Sequence, residues 1–171
     1  TGVQTCALPI YKYGGLDTPG LYLDETTLRT CYYHRRLFAQ LAKELIKQGD
    51  HVRARKVLTY AEQAVPAYNV PEIYESGSFD IATAYAALGE KTKAVTLFNH
   101  LIAESEDYIN WAFSLGNGRT GMMQNDCLYK FWQWNAYNER MKEIDKESYE
   151  ASNRRFEEKY ALFTQIINNR N

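Results

Sequence analysis

Cys31 and His34 stand three residues apart. On a helix that spacing puts a thiol and an imidazole on one face, which is half of a metal site. A tetrahedral centre needs a second pair, and His51, His100 and Cys127 are isolated in the chain. The bland account, a buried thiol beside a partly exposed imidazole, is therefore preferred. Gly116-Asn-Gly-Arg-Thr-Gly121 has the letters of a dinucleotide-binding turn. Those glycines work only between a buried strand and a helix. No β-branched run precedes them, so the segment reads as a flexible connector. Neither a metal nor a cofactor is expected.

His34-Arg35-Arg36 is a short basic cluster that could bind a phosphate or carboxylate. Arg35 interrupts an apolar stripe, however, so a structural ion pair with Asp24, Glu25, Glu72 or Glu75 is the favoured account. The carboxylates offer no pair whose environments would visibly split their pKa values for acid–base work. No Ser-His-Asp or Cys-His arrangement stands out either, so no catalytic residue is assigned. Trp111, Phe113, Tyr129, Trp132, Trp134 and Tyr137 crowd one region. They could line a groove that stacks on a sugar or grips a peptide, although packing between helices is the commoner use of such rings. The residues that could contact a ligand or partner are thus His34, Arg35, Arg36, Trp111, Trp132 and Trp134.

The elements that must hold these residues read as helices. Asp24 suits an N-cap, with Glu25 in the first turn. From Thr26 apolar residues recur at three- and four-residue steps: Leu28, Cys31 or Tyr32, Phe38, Leu41, Ala42 and Leu45. Gly49 suits a left-handed helix end and Asp50 the next N-cap. Ala54, Val57, Leu58, Ala61 and Val65 continue the pattern to Pro66, and 66–75 reads as a loop. The unit then returns. Phe79, Ala82, Tyr85 and Leu88 precede Gly89, and Ala94, Leu97, Phe98 and Leu101 follow it. Gly49 and Gly89 lie at a 40-residue offset, which also matches Ala42 with Ala82 and Ala54 with Ala94. Small residues at those places let antiparallel helices approach closely.

This arrangement resembles the tetratricopeptide repeat, whose period is about 34 residues. Phe38, Leu41-Ala42, Gly49-Asp50, Ala54, Leu58, Ala61 and Pro66 carry the likeness, and the extra length falls in the 66–75 loop. The expected fold is all-α, with antiparallel tetratricopeptide-like hairpins, six to seven helices in all, and C-terminal capping helices. Residues 26–168 form one domain in this reading, with repeat units at 26–66 and 76–106 and a capping region at 107–168. That region contains a short aromatic helix from Asp107 to Leu115, a helix from Met122 to Lys142 and a last one from Asp145 to Ile167. The last helix carries Tyr149, Phe156, Tyr160, Phe163 and Ile167 on its apolar stripe. Residues 11–25 are an irregular lead-in rich in Gly, Pro and Asp.

Charge balances, with 20 basic and 21 acidic residues. No field gathers nucleic acid, and no apolar run is long enough to span a membrane. Thr1 to Ile10 closely resembles the translation of a common sequencing adapter, and is set aside together with Cys6. The native chain is then expected to begin upstream of Tyr11.

Tyr11-Lys-Tyr-Gly-Gly-Leu-Asp17, Leu21-Tyr-Leu-Asp-Glu25, Cys31-Tyr-Tyr-His-Arg-Arg36, Phe38-Ala-Gln-Leu41, Pro66-Ala-Tyr-Asn-Val-Pro71 and Ser76-Gly-Ser78 follow in that order. As a string they resemble the C-terminal region of a family of large multi-pass bacterial membrane proteins. The membrane part of that family resembles protein O-mannosyltransferases and other C-type glycosyltransferases. The resemblance covers 11–171 and implies a context without site residues, because the catalytic acids of such enzymes lie in the membrane part. It implies a soluble domain of an inner-membrane protein, on the periplasmic side, with the cytoplasmic side left open. Its partners would be a protein or glycan and the parent's own membrane domain, with no nucleic acid.

Overall fold

A computed structural model describes residues 13–169, so the expectation for residues 1–10 lies outside the described residues. The described chain is all-helical, with seven α-helices and no strand among those residues. It divides after Glu90 into two compact units. The expected second repeat unit therefore has one helix in each.

In the first unit, α1 (Glu25–Lys47) packs against α2 (His51–Ala64) and α3 (Ser78–Ala87). Asp24 starts α1: its carboxylate accepts from the backbone N–H groups of Thr26 at 2.9 Å and Thr27 at 3.1 Å, and from the Thr27 hydroxyl. Cys31, Arg35, Phe38, Ala42 and Leu45 are buried along one stripe. The turn to α2 closes through Asp50 N–H on Leu45 O and Gly49 N–H on Ile46 O, both at 2.9 Å, with Gly49 at φ +77°. The same pair of bonds recurs after α3, from Glu90 to Tyr85 and from Gly89 to Ala86, with Gly89 at φ +78°. Both are the left-handed helix ends that glycine permits, and they account for the match at that offset. Ala42, Ala54 and Ala82 are wholly buried, as close helix approach requires.

Between α2 and α3 the chain turns at Pro66–Asn69, makes a 3-10 turn at Tyr74–Ser76 and enters α3 through Gly77. The 3-10 turn lies against α1. A Cβ on Gly77 would stand 2.6 Å from Arg36 Cγ and 3.1 Å from Arg36 Cα, and Gly77 has φ +83°. Both facts demand glycine.

In the second unit, α4 (Lys91–Ser114) and α7 (Lys146–Asn168) pack on α6 (Gln124–Ile144), and α5 (Asn117–Met122) joins α4 to α6. Two readings need correction. The repeat helix around Ala94–Leu101 and the aromatic helix at Asp107–Leu115 are one helix. Residues 102–106 contain neither Gly nor Pro, and the buried stripe runs on from Leu101 through Ser105 and Ile109 to Ala112. The Gly116–Gly121 segment is not a loop. Its Asn117–Met122 turn of helix is tied down by the Thr120 hydroxyl, which donates to Ala112 O at 2.7 Å.

The last helix buries Ser152, Phe163 and Ile166, with Phe156 half-buried and Tyr160 exposed at one edge. The spacing along this helix would also allow Glu150–Arg154 and Arg154–Glu158 pairs, four residues apart, but neither is formed. Glu150 faces Lys146 at 3.6 Å, and the neighbouring Arg155 reaches Glu106 on α4 at 3.1 Å. Exposed pairs differ by only tenths of a kcal/mol, too little to fix a choice.

The glycine geometry separates two costs. Gly49→Ala meets open space and should lose about 1 kcal/mol from its positive φ alone. Gly77→Ala adds a clash with Arg36 Cγ and a tight approach to the Arg36 backbone, and should lose about 3 kcal/mol. Urea unfolding of the two variants measures the difference, and equal losses would mean that the loop does not press on α1.

Candidate functional site

Helical rotation of about 100° per residue sends His34, Arg35 and Arg36 in three directions. Arg35 turns inward and is 3% exposed. One terminal nitrogen donates to Pro71 O at 2.7 Å and Ser76 Oγ at 3.0 Å; the other donates to Val70 O at 2.8 Å and Val65 O at 3.0 Å. The expected structural ion pair is thus replaced by a fork onto three carbonyls and the Ser76 hydroxyl between residues 65 and 76. Burial lowers the pKa of Arg35 from the ordinary arginine value, and the charge of Glu72 pushes it back up. The ion is held by neutral acceptors with a carboxylate acting from beyond them. Because it is buried, Arg35 is not a surface contact for a ligand.

Arg36 turns outward and donates to Glu75 O at 2.9 Å. His34 is half-buried, and its Nδ1 shares a 3.1 Å hydrogen bond with the Tyr13 hydroxyl. The sequence therefore lists three neighbours that the fold assigns to three separate tasks, and no anion-binding cluster is assembled. Cys31 is buried, and burial raises its thiol pKa. Among the described residues no three His, Cys, Asp or Glu side chains form a group that could hold a metal ion.

The tryptophans also separate. Trp134 is fully buried, and its indole N–H donates to Ser152 Oγ at 2.8 Å, while that hydroxyl donates to Asn138 Oδ1 at 2.6 Å. Trp134 is core, and its reading as a possible ligand contact is corrected. Phe131 presents its face and edges to Phe156, Tyr160 and Phe163 at centroid distances of 5.6, 5.2 and 5.4 Å. This packed layer between α6 and α7 is the ordinary use of aromatic rings.

Trp111 and Trp132 are different. They remain 51% and 52% exposed. Trp111 on α4 meets Tyr108 edge to face at 5.5 Å, and Trp132 on α6 stacks on Tyr129 at 5.8 Å with 12° between the planes. Lys130 lies between helices: it bonds both oxygens of Glu104 at 2.9 and 3.0 Å and stands 5.6 Å over the Tyr108 ring. Tyr108, which the sequence did not single out, and Tyr129, one of the rings it named as able to line a groove, are thus the neighbours that hold the two exposed indoles. Their i, i+3 spacing from the tryptophans was the available signal.

No helix among the described residues is long and apolar enough to cross a membrane.

Arg35 gives a clear prediction. Arg35→Met strands four acceptors in the interior and should cost about 3 kcal/mol. Arg35→Lys should recover little, because an ammonium cannot reproduce the fork. A loss below about 0.5 kcal/mol in thermal or urea unfolding, the size of a surface substitution, would refute the role.

Comparison of the chain with protein-family models, with curated proteins and with solved structures gives no match.

Proposed function

We propose that this chain is a non-catalytic helical-repeat module of a membrane glycosyltransferase-like protein, and that it binds a protein or glycan and positions it for the parent. The observation that carries the reading is the pair of half-exposed indoles, Trp111 and Trp132, each set against a tyrosine ring. Leaving large rings in water has a hydrophobic cost that packing would remove, so such rings mark binding surfaces more often than other exposed side chains do. Rings of this kind stack on the apolar faces of sugars and on extended peptides. The membrane context rests on the family string of residues 11–78, and the periplasmic side on that context alone.

A second reading, a purely structural module that stabilises the membrane part, is favoured by the interior arrangement. The buried polar groups of Arg35 and of the Trp134–Ser152–Asn138 chain bind one another or the backbone within the interior.

Tryptophan emission tests the first reading. A binding glycan or envelope protein should shift the emission, and the double variant Trp111→Ala/Trp132→Ala should abolish the response with unchanged helical circular dichroism. A chain that retains no envelope protein and responds to no oligosaccharide would count against recognition. Deleting residues 26–168 from the parent separates the two readings. A stable but inactive parent supports recognition, and loss of the parent supports the structural role.

A further inference from the structure

Residues 13–23 have no helix of their own, yet they take a defined course over the first unit. Two turns shape them, from Leu16 N–H to Tyr13 O and from Thr18 N–H to Gly15 O. What attaches them to the helices is a small set of side chains. Asn69 does most of it, using all its polar capacity. Its Oδ1 accepts from Gly20 N–H at 3.1 Å and Leu21 N–H at 3.3 Å, and its Nδ2 donates to Leu16 O and Thr18 O, both at 2.7 Å. The Tyr68 hydroxyl adds a bond to Asp17 O at 3.0 Å. Apart from these, Leu16 is buried, 8% exposed, and Tyr13 and Leu23 are half-buried.

Tyr13 enters a ring-lined recess on α1 and α2. Its centroid is 5.4 Å from His34 and 6.4 Å from Tyr60, both edge to face, and 6.0 Å from Phe38. Phe38 and Tyr60 hold each other edge to face at 5.7 Å, so the walls do not depend on Tyr13. His34 Nδ1 meets the phenol oxygen at the rim. The recess therefore supplies aromatic edges for the ring and one polar group for the hydroxyl, the two things a tyrosine needs when it is removed from water.

We propose that His34, Phe38 and Tyr60 form a socket for a tyrosyl side chain, filled in cis by Tyr13 on a strap, residues 13–23, whose latch is Asn69. The strap is a separable unit. Among the described residues it is attached through the Asn69 amide, the Tyr68 phenol and the side chains of Tyr13, Leu16 and Leu23, against the continuous buried stripes of α1 and α2. Segments held by few buried contacts open locally, well below the free energy of global unfolding. None of the acceptors of Arg35 belongs to the strap, so opening leaves that network intact. The open form offers the socket to a tyrosine supplied by another chain, at the start of a turn with an apolar residue three positions on, as Leu16 follows Tyr13.

Amide hydrogen exchange on the full chain tests the latch. In Asn69→Ala the Gly20 and Leu21 amides should exchange faster by at least about tenfold, the effect of losing a net hydrogen bond or more. Amides of α1 and α2 should stay within about twofold of the parent chain. Equal acceleration throughout, or none at Gly20 and Leu21, overturns the latch. The socket is tested with p-cresol, the side chain of tyrosine without its backbone. In Tyr13→Ala, millimolar p-cresol should raise the melting temperature by about 2 °C or more and leave the parent chain unchanged, by mass action on an emptied site. No shift in Tyr13→Ala, or the same shift in both proteins, overturns the socket. The exchange measurement stands by itself if Tyr13→Ala fails to fold.

Discussion

The first unit depends on one buried cation. Removing a guanidinium from water is costly, and the interior recovers that cost only when the donors are met by well-placed acceptors. Arg35 finds them in four groups spread between Val65 and Ser76. Those acceptors lie along the connection from the end of α2 to the start of α3, a stretch with little helix of its own. A loop of that kind carries carbonyls that would otherwise need water. The guanidinium supplies their donors and the loop supplies a cage for the charge, so each removes the other's desolvation penalty. Everything fixed to the loop then inherits its position: Gly77 and the entry to α3 on one side, Asn69 and through it the lead-in on the other.

The second unit solves a related problem without a charge. Trp134 brings an indole N–H into the interior, and the Ser152 hydroxyl on the facing helix accepts from it and donates in turn to Asn138 Oδ1. Such a chain has one register in which its members meet, so it selects how α7 lies on α6 more sharply than the surrounding phenyl rings can. Phe131, Phe156 and Phe163 contribute area, which is nearly indifferent to small slips; the hydrogen-bonded chain contributes discrimination.

The local features were legible because they are written in a few adjacent residues. Asp24, Gly49, Asp50 and Gly89 are capping residues whose chemistry needs no knowledge of the rest of the chain, and each stands where its type implied. The continuity of α4 was hidden because the mixed composition after Leu101 resembles a helix end, though no residue there breaks a helix. Arg35 could be placed on the inward face, but its partners could not be foreseen. Carbonyls have no sequence signature, so the nearest acids were the only acceptors in view. The tryptophans show a signal that was present and unused. Trp132 and Trp134 are two residues apart, about 200° around a helix, so one of them had to face inward if the other faced out.

The same rotation explains how one turn of α1 serves several purposes at once. His34 meets the lead-in, Arg35 the loop, Arg36 the backbone beside Gly77, and Phe38 the core under Tyr13. These contacts are neighbours in sequence but diverge in space, and they differ in what breaking them would do. The Arg35 fork cannot open without stranding buried groups, so it moves only with global unfolding. The contacts of Tyr13 and Asn69 lie at the edge, where water can replace each bond that is lost. A module of this kind can therefore keep a rigid hairpin and still change its surface, because the buried cation and the edge contacts share a helix but no bonds.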